Sequence, residues 1–277
     1  MQLRKARIKL GKINHIFISH LHGDHIFGLY GLLSTFSLMG RGTPLHIYTP
    51  SKYKHILESH LDDFDIHLNF DLEFHGLSGN DPVMILDDKY LTVTSFPLKH
   101  RIPTYGFIFR EKKSDRKIIK DAVEKYKIPL ANIRSIKKGD DFVCSDGTVI
   151  SNTEISIPPP EPLSYAYCSD TSYFKRITSF VKNVTVLYHE STFDGSKQDL
   201  ASKTGHSTAS DAANVALEAG VRTLIIGHFS ARYRNLDDII NEARAIFPAT
   251  LPATEGTTYD IGDADLFKSW LSLHPKM

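Results

Sequence analysis

Residues 18–29 run Ile-Ser-His-Leu-His-Gly-Asp-His-Ile-Phe-Gly-Leu, so His20, His22, Asp24 and His25 fall within six positions directly after an apolar, strand-like stretch. Neutral imidazoles and a carboxylate suit zinc. A turn that presents alternate residues inward delivers two ligands to one ion and two to a second. The plainer alternative is a polar turn that happens to be rich in histidine. The H-x-H-x-D-H order is far more specific than a lone H-x-H, and it favours metal.

Four side chains cannot complete two zinc shells and still leave positions open for a reacting water. Three further candidates close apolar runs: His100 after Leu91-Thr-Val-Thr-Ser-Phe-Pro-Leu-Lys, Asp170 after Leu163-Ser-Tyr-Ala-Tyr-Cys-Ser, and His228 after Val221-Arg-Thr-Leu-Ile-Ile-Gly. Any one alone could equally cap a turn. Three strands that each end in a potential ligand fit a site assembled at one rim of a sheet.

The order H-x-H-x-D-H, then His, Asp and His, resembles the metallo-β-lactamase superfamily. Ser-Asp-Thr at 169–171, His-Glu-Ser-Thr-Phe at 189–193, Gly-His-Ser-Thr at 205–208 and His-Phe-Ser-Ala-Arg-Tyr at 228–233 narrow this. Together they resemble the ribonuclease Z family of tRNA 3′-processing endonucleases, through nearly the whole chain. The resemblance implies an α/β fold, the four-layer αβ/βα sandwich. It also implies two zinc ions per subunit, one held by His20, His22 and His100, the other by Asp24, His25 and His228, with Asp170 bridging. Glu190 and His206 become a catalytic pair, and Asp24 doubles as proton acceptor. Ser207 and Arg232 look suited to holding phosphate, although Arg232 beside Tyr233 could as easily form a structural stack. The implied reaction removes the 3′ trailer from precursor tRNA by attack of a hydroxide shared between the two zinc ions. It leaves a 3′-hydroxyl on the tRNA and a 5′-phosphate on the trailer.

Composition bounds the setting. With 277 residues and 41% apolar content, the chain can bury one large core or two tightly joined halves, and 1–277 reads as a single domain carrying an insert. No apolar stretch approaches the roughly twenty residues of a membrane span, and no signal peptide precedes Met1-Gln-Leu-Arg-Lys. Cys144 and Cys168 give no disulfide framework, which points to the cytoplasm. Cys168, two residues before Asp170, reads as packing rather than as a ligand.

A net charge of +1 makes any RNA footprint local. Between Arg110 and Lys138 stand eleven Lys and Arg against four acids, in the insert at about 111–160. A solvated surface helix is the ordinary explanation of such a run. Its place between the His100 and Asp170 strands, however, is where bacterial members of the resembled family carry a protruding arm that clamps the tRNA body. Arg134, Lys137 and Lys138 are the expected RNA contacts. The family's usual Gly-Pro step is absent from Lys127-Ile-Pro-Leu-Ala-Asn-Ile. One subunit must seat the 3′ end in a cleft while gripping the tRNA body far away. An arm on a neighbouring subunit solves that geometry, so a homodimer is expected.

Ile13–Ser19 and Leu45–Thr49 read as strands, Phe27–Met39 as a mostly apolar helix, and 53–61 as an amphipathic helix. Segments 71–74, 89–96 and 104–110 read as antiparallel strands, while 184–188 and 221–226 are apolar enough to be central. Thr208-Ala-Ser-Asp211 resembles a capping box whose helix Gly220 closes. Pro158–Pro162 reads as a rigid hinge. The remaining histidines (15, 46, 55, 60, 67, 75, 189 and 274) read as surface or core residues. Family members begin about fifty residues earlier, so an N-terminally truncated sandwich with an unpaired sheet edge is expected.

Three functions compete: the tRNA endonuclease, a small-molecule phosphodiesterase or lactone or thioester hydrolase of the same superfamily, and a non-catalytic RNA-binding remnant. Ligand spacing does not separate the first two. The His-Glu-Ser-Thr and His-Phe-Ser-Ala-Arg-Tyr motifs and the basic insert favour the endonuclease, since a small substrate needs no cationic arm. Intact ligands argue against the remnant.

Overall fold

The computed structural model describes residues 2–263 and 265–273; His274 lies outside them. The chain divides into two compact units, Met1–Arg110 with Leu163–Met277, and Glu111–Pro162.

In the first unit a parallel three-stranded sheet is built from β1 (His15–Phe17), β2 (Leu45–Pro50) and β3 (Leu72–Leu77). The segment around residues 71–74, expected to be antiparallel, pairs with β2 in parallel. The reason is the connection: the helix Tyr53–Asp63 carries the chain back along the sheet before β3 begins, and such a crossover yields parallel strands. That helix and Gly23–Leu38 cover the sheet's outer face, where Leu29, Leu33, Phe36, Tyr53 and Leu57 pack with Leu45 and Ile47. Each such side chain contributes about 1.5–3 kcal/mol on burial. The Gly23–Leu38 helix begins earlier than its apolar run suggests, because Gly23, Asp24 and His25 form its first turn behind the extended His22.

The second sheet has seven strands in the order Thr250–Pro252, Thr223–Gly227, Val186–Glu190, Ser164–Cys168, Thr104–Glu111, Leu91–Leu98 and Val83–Asp87. Its first four strands run parallel; Thr104–Glu111 lies antiparallel to Ser164–Cys168. As the apolar runs require, Val186–Glu190 and Thr223–Gly227 are interior strands. The edge strand Thr250–Pro252, at three residues, is too short to leave a clear sequence signal.

The inner faces of the two sheets meet through Tyr48, Leu77, Val93, Tyr105 and Phe107, with the Phe17 ring 5.4 Å from that of Phe107. On the outer face of the larger sheet lies the helix Ala209–Ala219, whose Ala209, Ala212, Ala213, Ala216 and Ala219 form one buried stripe. Its start is a capping box in which the Thr208 hydroxyl accepts from the Asp211 amide while the Asp211 carboxylate accepts from the Thr208 amide. Gly220, at φ 64°, closes it. Helix, sheet, sheet and helix thus stack as the expected four layers. Cys168 is buried in this outer core and burial pushes its thiol pKa up, as a packing role requires.

The second unit has its own small core of Ala122, Ile128, Ile136, Phe142, Ile150 and Ile155. Helices Lys120–Lys125 and Leu130–Lys138 and two two-stranded antiparallel pairs enclose it. The buried Asn152 amide donates to the carbonyls of Ile136 and Asp140 and ties the second helix to the loop after it. Among the described residues no helix is long and apolar enough to cross a membrane.

Candidate metal centre and catalytic pair

The loops that follow strand ends carry the expected ligands to one place. His20 follows β1 and is fully buried, and His22 is the last extended residue before the helix that carries Asp24 and His25. His100, Asp170 and His228 arrive from the ends of Leu91–Leu98, Ser164–Cys168 and Thr223–Gly227. His20 Nε2 lies 3.0 Å from His22 Nδ1, which lies 3.3 Å from His100 Nε2. Ligand atoms about 2.0–2.1 Å from a tetrahedral zinc stand about 3.3 Å apart, so this triad has the spacing of one ligand shell.

Asp170 faces two ways. Its Oδ2 is 3.4 Å from His20 Nε2, and its Oδ1 is 3.4 Å from His228 Nε2 and 3.7 Å from His25 Nε2. His25 Nε2 is in turn 3.5 Å from Asp24 Oδ2. His20, His22, His100 and Asp170 can offer ligand atoms within 4.8 Å of one another, and so can Asp24, His25 and His228. Burial opposes ionisation of Asp170, but hydrogen bonds from His20 and His25, the nearby His228 and the Ser169 hydroxyl outweigh it. They hold the carboxyl far below the usual range. Asp170 and His228 both adopt left-handed backbone, φ 40° and 60°, a strain of about 1–3 kcal/mol each that clusters at functional sites.

Three of the ring nitrogens turned away from the centre are held. Ser19 Oγ lies 3.1 Å from His20 Nδ1, the His100 Nδ1–H donates to the Gly205 carbonyl at 2.7 Å, and the His228 Nδ1–H donates to Thr192 Oγ1 at 2.9 Å. Each partner leaves an Nε2 lone pair for the centre, the outer-shell arrangement that fixes metal-binding imidazoles. Gly205 has to be glycine: at φ 81°, a Cβ there would stand 2.8 Å from His100 Nδ1. The donor set therefore fits two ions of the zinc class.

Beside the centre sits Glu190, fully buried at the end of Val186–Glu190. Its Oε1 accepts from the Thr171 amide and from His206 Nδ1, both at 2.8 Å; its Oε2 accepts from the Thr192 amide at 3.1 Å and hydroxyl at 2.6 Å. Four donors satisfy a buried charge that would otherwise be costly. Burial alone would lower the pKa of His206, but the Glu190 carboxylate raises it above the usual value. Nδ1 being committed, only Nε2 of His206 is free to act. The His206 ring lies 5.1 Å from that of His100 and 5.3 Å from that of His228. His206 could also join Asp170 and His228 as a ligand group, which makes metal retention the discriminating readout for its role.

Two phosphate candidates fare differently. Ser207 is fully buried and its hydroxyl donates to the Thr171 carbonyl at 2.5 Å, so it anchors the turn and is not open to a phosphate. Arg232 is exposed with its guanidinium 5.2 Å above the Phe193 ring, a stack that leaves its N–H edge free. Sequence reasoning missed Ser19, Thr171 and Thr192. Short hydroxyl side chains beside ligands are common everywhere, and only Thr192's place within His-Glu-Ser-Thr hinted at more.

A family model described as a β-lactamase superfamily domain matches residues 1–119. A ribonuclease Z of Bacteroides fragilis is 47% identical over 255 residues, covering 92% of this chain and 84% of that protein. One from Porphyromonas gingivalis is 40% identical over 260 residues, 94% of this chain and 86% of the relative. The chain belongs to the ribonuclease Z family. As a member of that family it is a metal-dependent nuclease of the β-lactamase superfamily. The fold agrees: the crystal structure of the short form of human tRNase Z matches with a TM-score of 0.65 at 24% identity, over 94% of this chain and 83% of that one. The Bacillus subtilis metallo-β-lactamase fold protein YhfI matches with a TM-score of 0.60 at 17% identity, over 91% and 78%.

Proposed function

We propose that this chain cleaves precursor tRNA at the 3′ end, releasing a tRNA with a 3′-hydroxyl and a trailer with a 5′-phosphate. The observation that carries the mechanism is Asp170 aimed at both ligand groups, with the Glu190–His206 pair alongside. His20, His22 and His100 would hold one zinc ion, Asp24, His25 and His228 the other, and Asp170 would bridge them. When bound, two such ions supply Lewis acidity to the phosphoryl oxygens and lower the pKa of a water toward neutrality. Asp24, whose side chain is 71% exposed, is placed to take the proton of the attacking water. His206, whose protonated form the Glu190 carboxylate favours, would donate from Nε2 to the departing 3′-oxygen as the P–O3′ bond breaks. Thr192 links the pair to His228 through one hydroxyl, donating to Glu190 while accepting from His228. Arg232 is a cation suited to a flanking phosphate.

The unit 111–162 supplies the proposed RNA grip. Arg134 and Lys138 are exposed and Lys137 is half-buried on the helix Leu130–Lys138, with Lys138 Nζ paired to Asp115 at 2.8 Å. Replacing Lys137 and Lys138 by alanine is expected to weaken precursor tRNA binding and to flatten its salt dependence by about one to two units of slope. Turnover of a small phosphodiester should hardly change, because these lysines meet distant phosphates and never the reacting centre. Equal losses on both substrates would remove the arm from the account. We also propose a homodimer working in the cytoplasm, each arm serving the other subunit's cleft. Light scattering should then give twice the 31.2 kDa subunit mass, and a single-subunit mass would exclude the exchange.

The function itself is tested by comparing a 3′-extended precursor with a small phosphodiester. A preference for the precursor of several orders of magnitude in kcat/KM is expected. A protein that turns over only the small ester would be a small-molecule hydrolase instead.

A further inference from the structure

Three histidines with no part in the cleft, His15, His46 and His75, are gathered on one face of the three-stranded sheet. His15 and His46 are register partners across β1 and β2, His46 and Glu73 across β2 and β3, and Tyr48 and His75 two residues further along on the same face. His46 Nδ1 lies 3.1 Å from His75 Nε2 and 3.2 Å from a Glu73 carboxylate oxygen. The His15 ring stacks on His46 at 4.7 Å and 11°, and the Tyr48 ring on His75 at 4.3 Å and 11°, so neighbouring side chains hold both imidazoles in place.

One proton serves this convergence poorly. A ring nitrogen carries either one proton or one lone pair. With a proton on Nδ1, His46 has to share it between Glu73 and His75 Nε2. With a lone pair there, His75 can donate to it, but the Glu73 carboxylate then faces a second acceptor at 3.2 Å. A single cation at the centre satisfies all three atoms. The His46–His75 and His46–Glu73 separations lie close to the roughly 3.3 Å expected between ligands of a tetrahedral zinc, and all three atoms fall within 4.8 Å of one another. The three come from rigid, paired strands, the placement that preorganises a metal site.

We propose that His46, Glu73 and His75 form a binding site for a divalent transition-metal ion of the zinc class, separate from the cleft. Two imidazoles and one carboxylate suit zinc, nickel or copper rather than calcium or magnesium. The Glu73 side chain is 50% exposed and that of His46 28%, so the ion reaches the site from solvent and takes its fourth ligand there. Bound, it ties β2 to β3 by side chains as well as by the ladder. The site stands whether or not the cleft acts on tRNA.

The test is zinc content after dialysis against buffered zinc, with elemental analysis of wild-type protein and of the separate variants His75→Ala and Glu73→Gln. Wild type should carry one zinc more than His75→Ala, and Glu73→Gln, which keeps the side-chain shape, should bind that extra ion at least tenfold more weakly. Wild type alone should also gain in melting temperature as zinc is raised through that binding range, while cleavage by all three proteins stays within about twofold. Equal zinc counts in the three proteins would overturn the site. So would a Glu73→Gln protein that keeps the extra ion at wild-type affinity, since the carboxylate would then be no ligand.

Discussion

Replacing Asp170 by alanine should empty the cleft of its metal ions and lower precursor cleavage at least about a thousandfold, beyond the 10- to 100-fold typical of losing an outer-shell partner. Among the described residues the carboxylate reaches both ligand groups, through Oδ2 to His20 and Oδ1 to His25 and His228. Without it, five imidazoles would converge with Asp24 as the remaining anionic ligand of the set, and two bound divalent ions would have less to offset their repulsion. Elemental analysis beside a cleavage assay checks this; an Asp170→Ala protein that keeps both cleft ions would show that the bridge is misplaced.

The second large effect belongs to His206. Its replacement by alanine should leave both cleft ions bound and lower cleavage by roughly a hundredfold, the scale of a lost general acid. Glu190→Gln should act more gently and in a diagnostic direction. The carboxylate raises the His206 pKa, so removing its charge lowers that pKa. Because a proton donor works only while protonated, the fall in rate at high pH should then begin at lower pH than in wild type. A His206→Ala protein that loses an ion would make His206 a ligand, as its placement beside Asp170 and His228 also permits.

Much of this was legible in the chain because metal chemistry restricts residue choice. His20, His22, Asp24 and His25 are bound to their spacing by the turn from β1 into the Gly23–Leu38 helix, and His100, Asp170 and His228 stand at strand ends where the larger, mixed sheet gathers its loops. The Ala209–Ala219 helix was equally visible, since a capping box and a closing glycine are local signals. What stayed hidden depends on partners distant in sequence. Ser207 looks like a phosphate ligand until the fold turns its hydroxyl onto Thr171, and Thr192 looks ordinary until Glu190 and His228 are seen to share it. The parallel pairing of β3 was missed because a six-residue strand does not announce its direction; the preceding helix does. His46 and His75 lie twenty-nine positions apart and form no motif, and only the sheet register brings them together.

The central claim is metal-dependent cleavage at the 3′ end of tRNA by this cleft. Its most direct test is to incubate the protein with a 3′-extended precursor tRNA, before and after chelation, and to determine the chemistry of both new ends. The account predicts a tRNA ending in a 3′-hydroxyl and a trailer beginning with a 5′-phosphate, lost on chelation and restored by zinc. Cleavage that survives complete metal removal, or products bearing a 3′-phosphate and a 5′-hydroxyl, would contradict it.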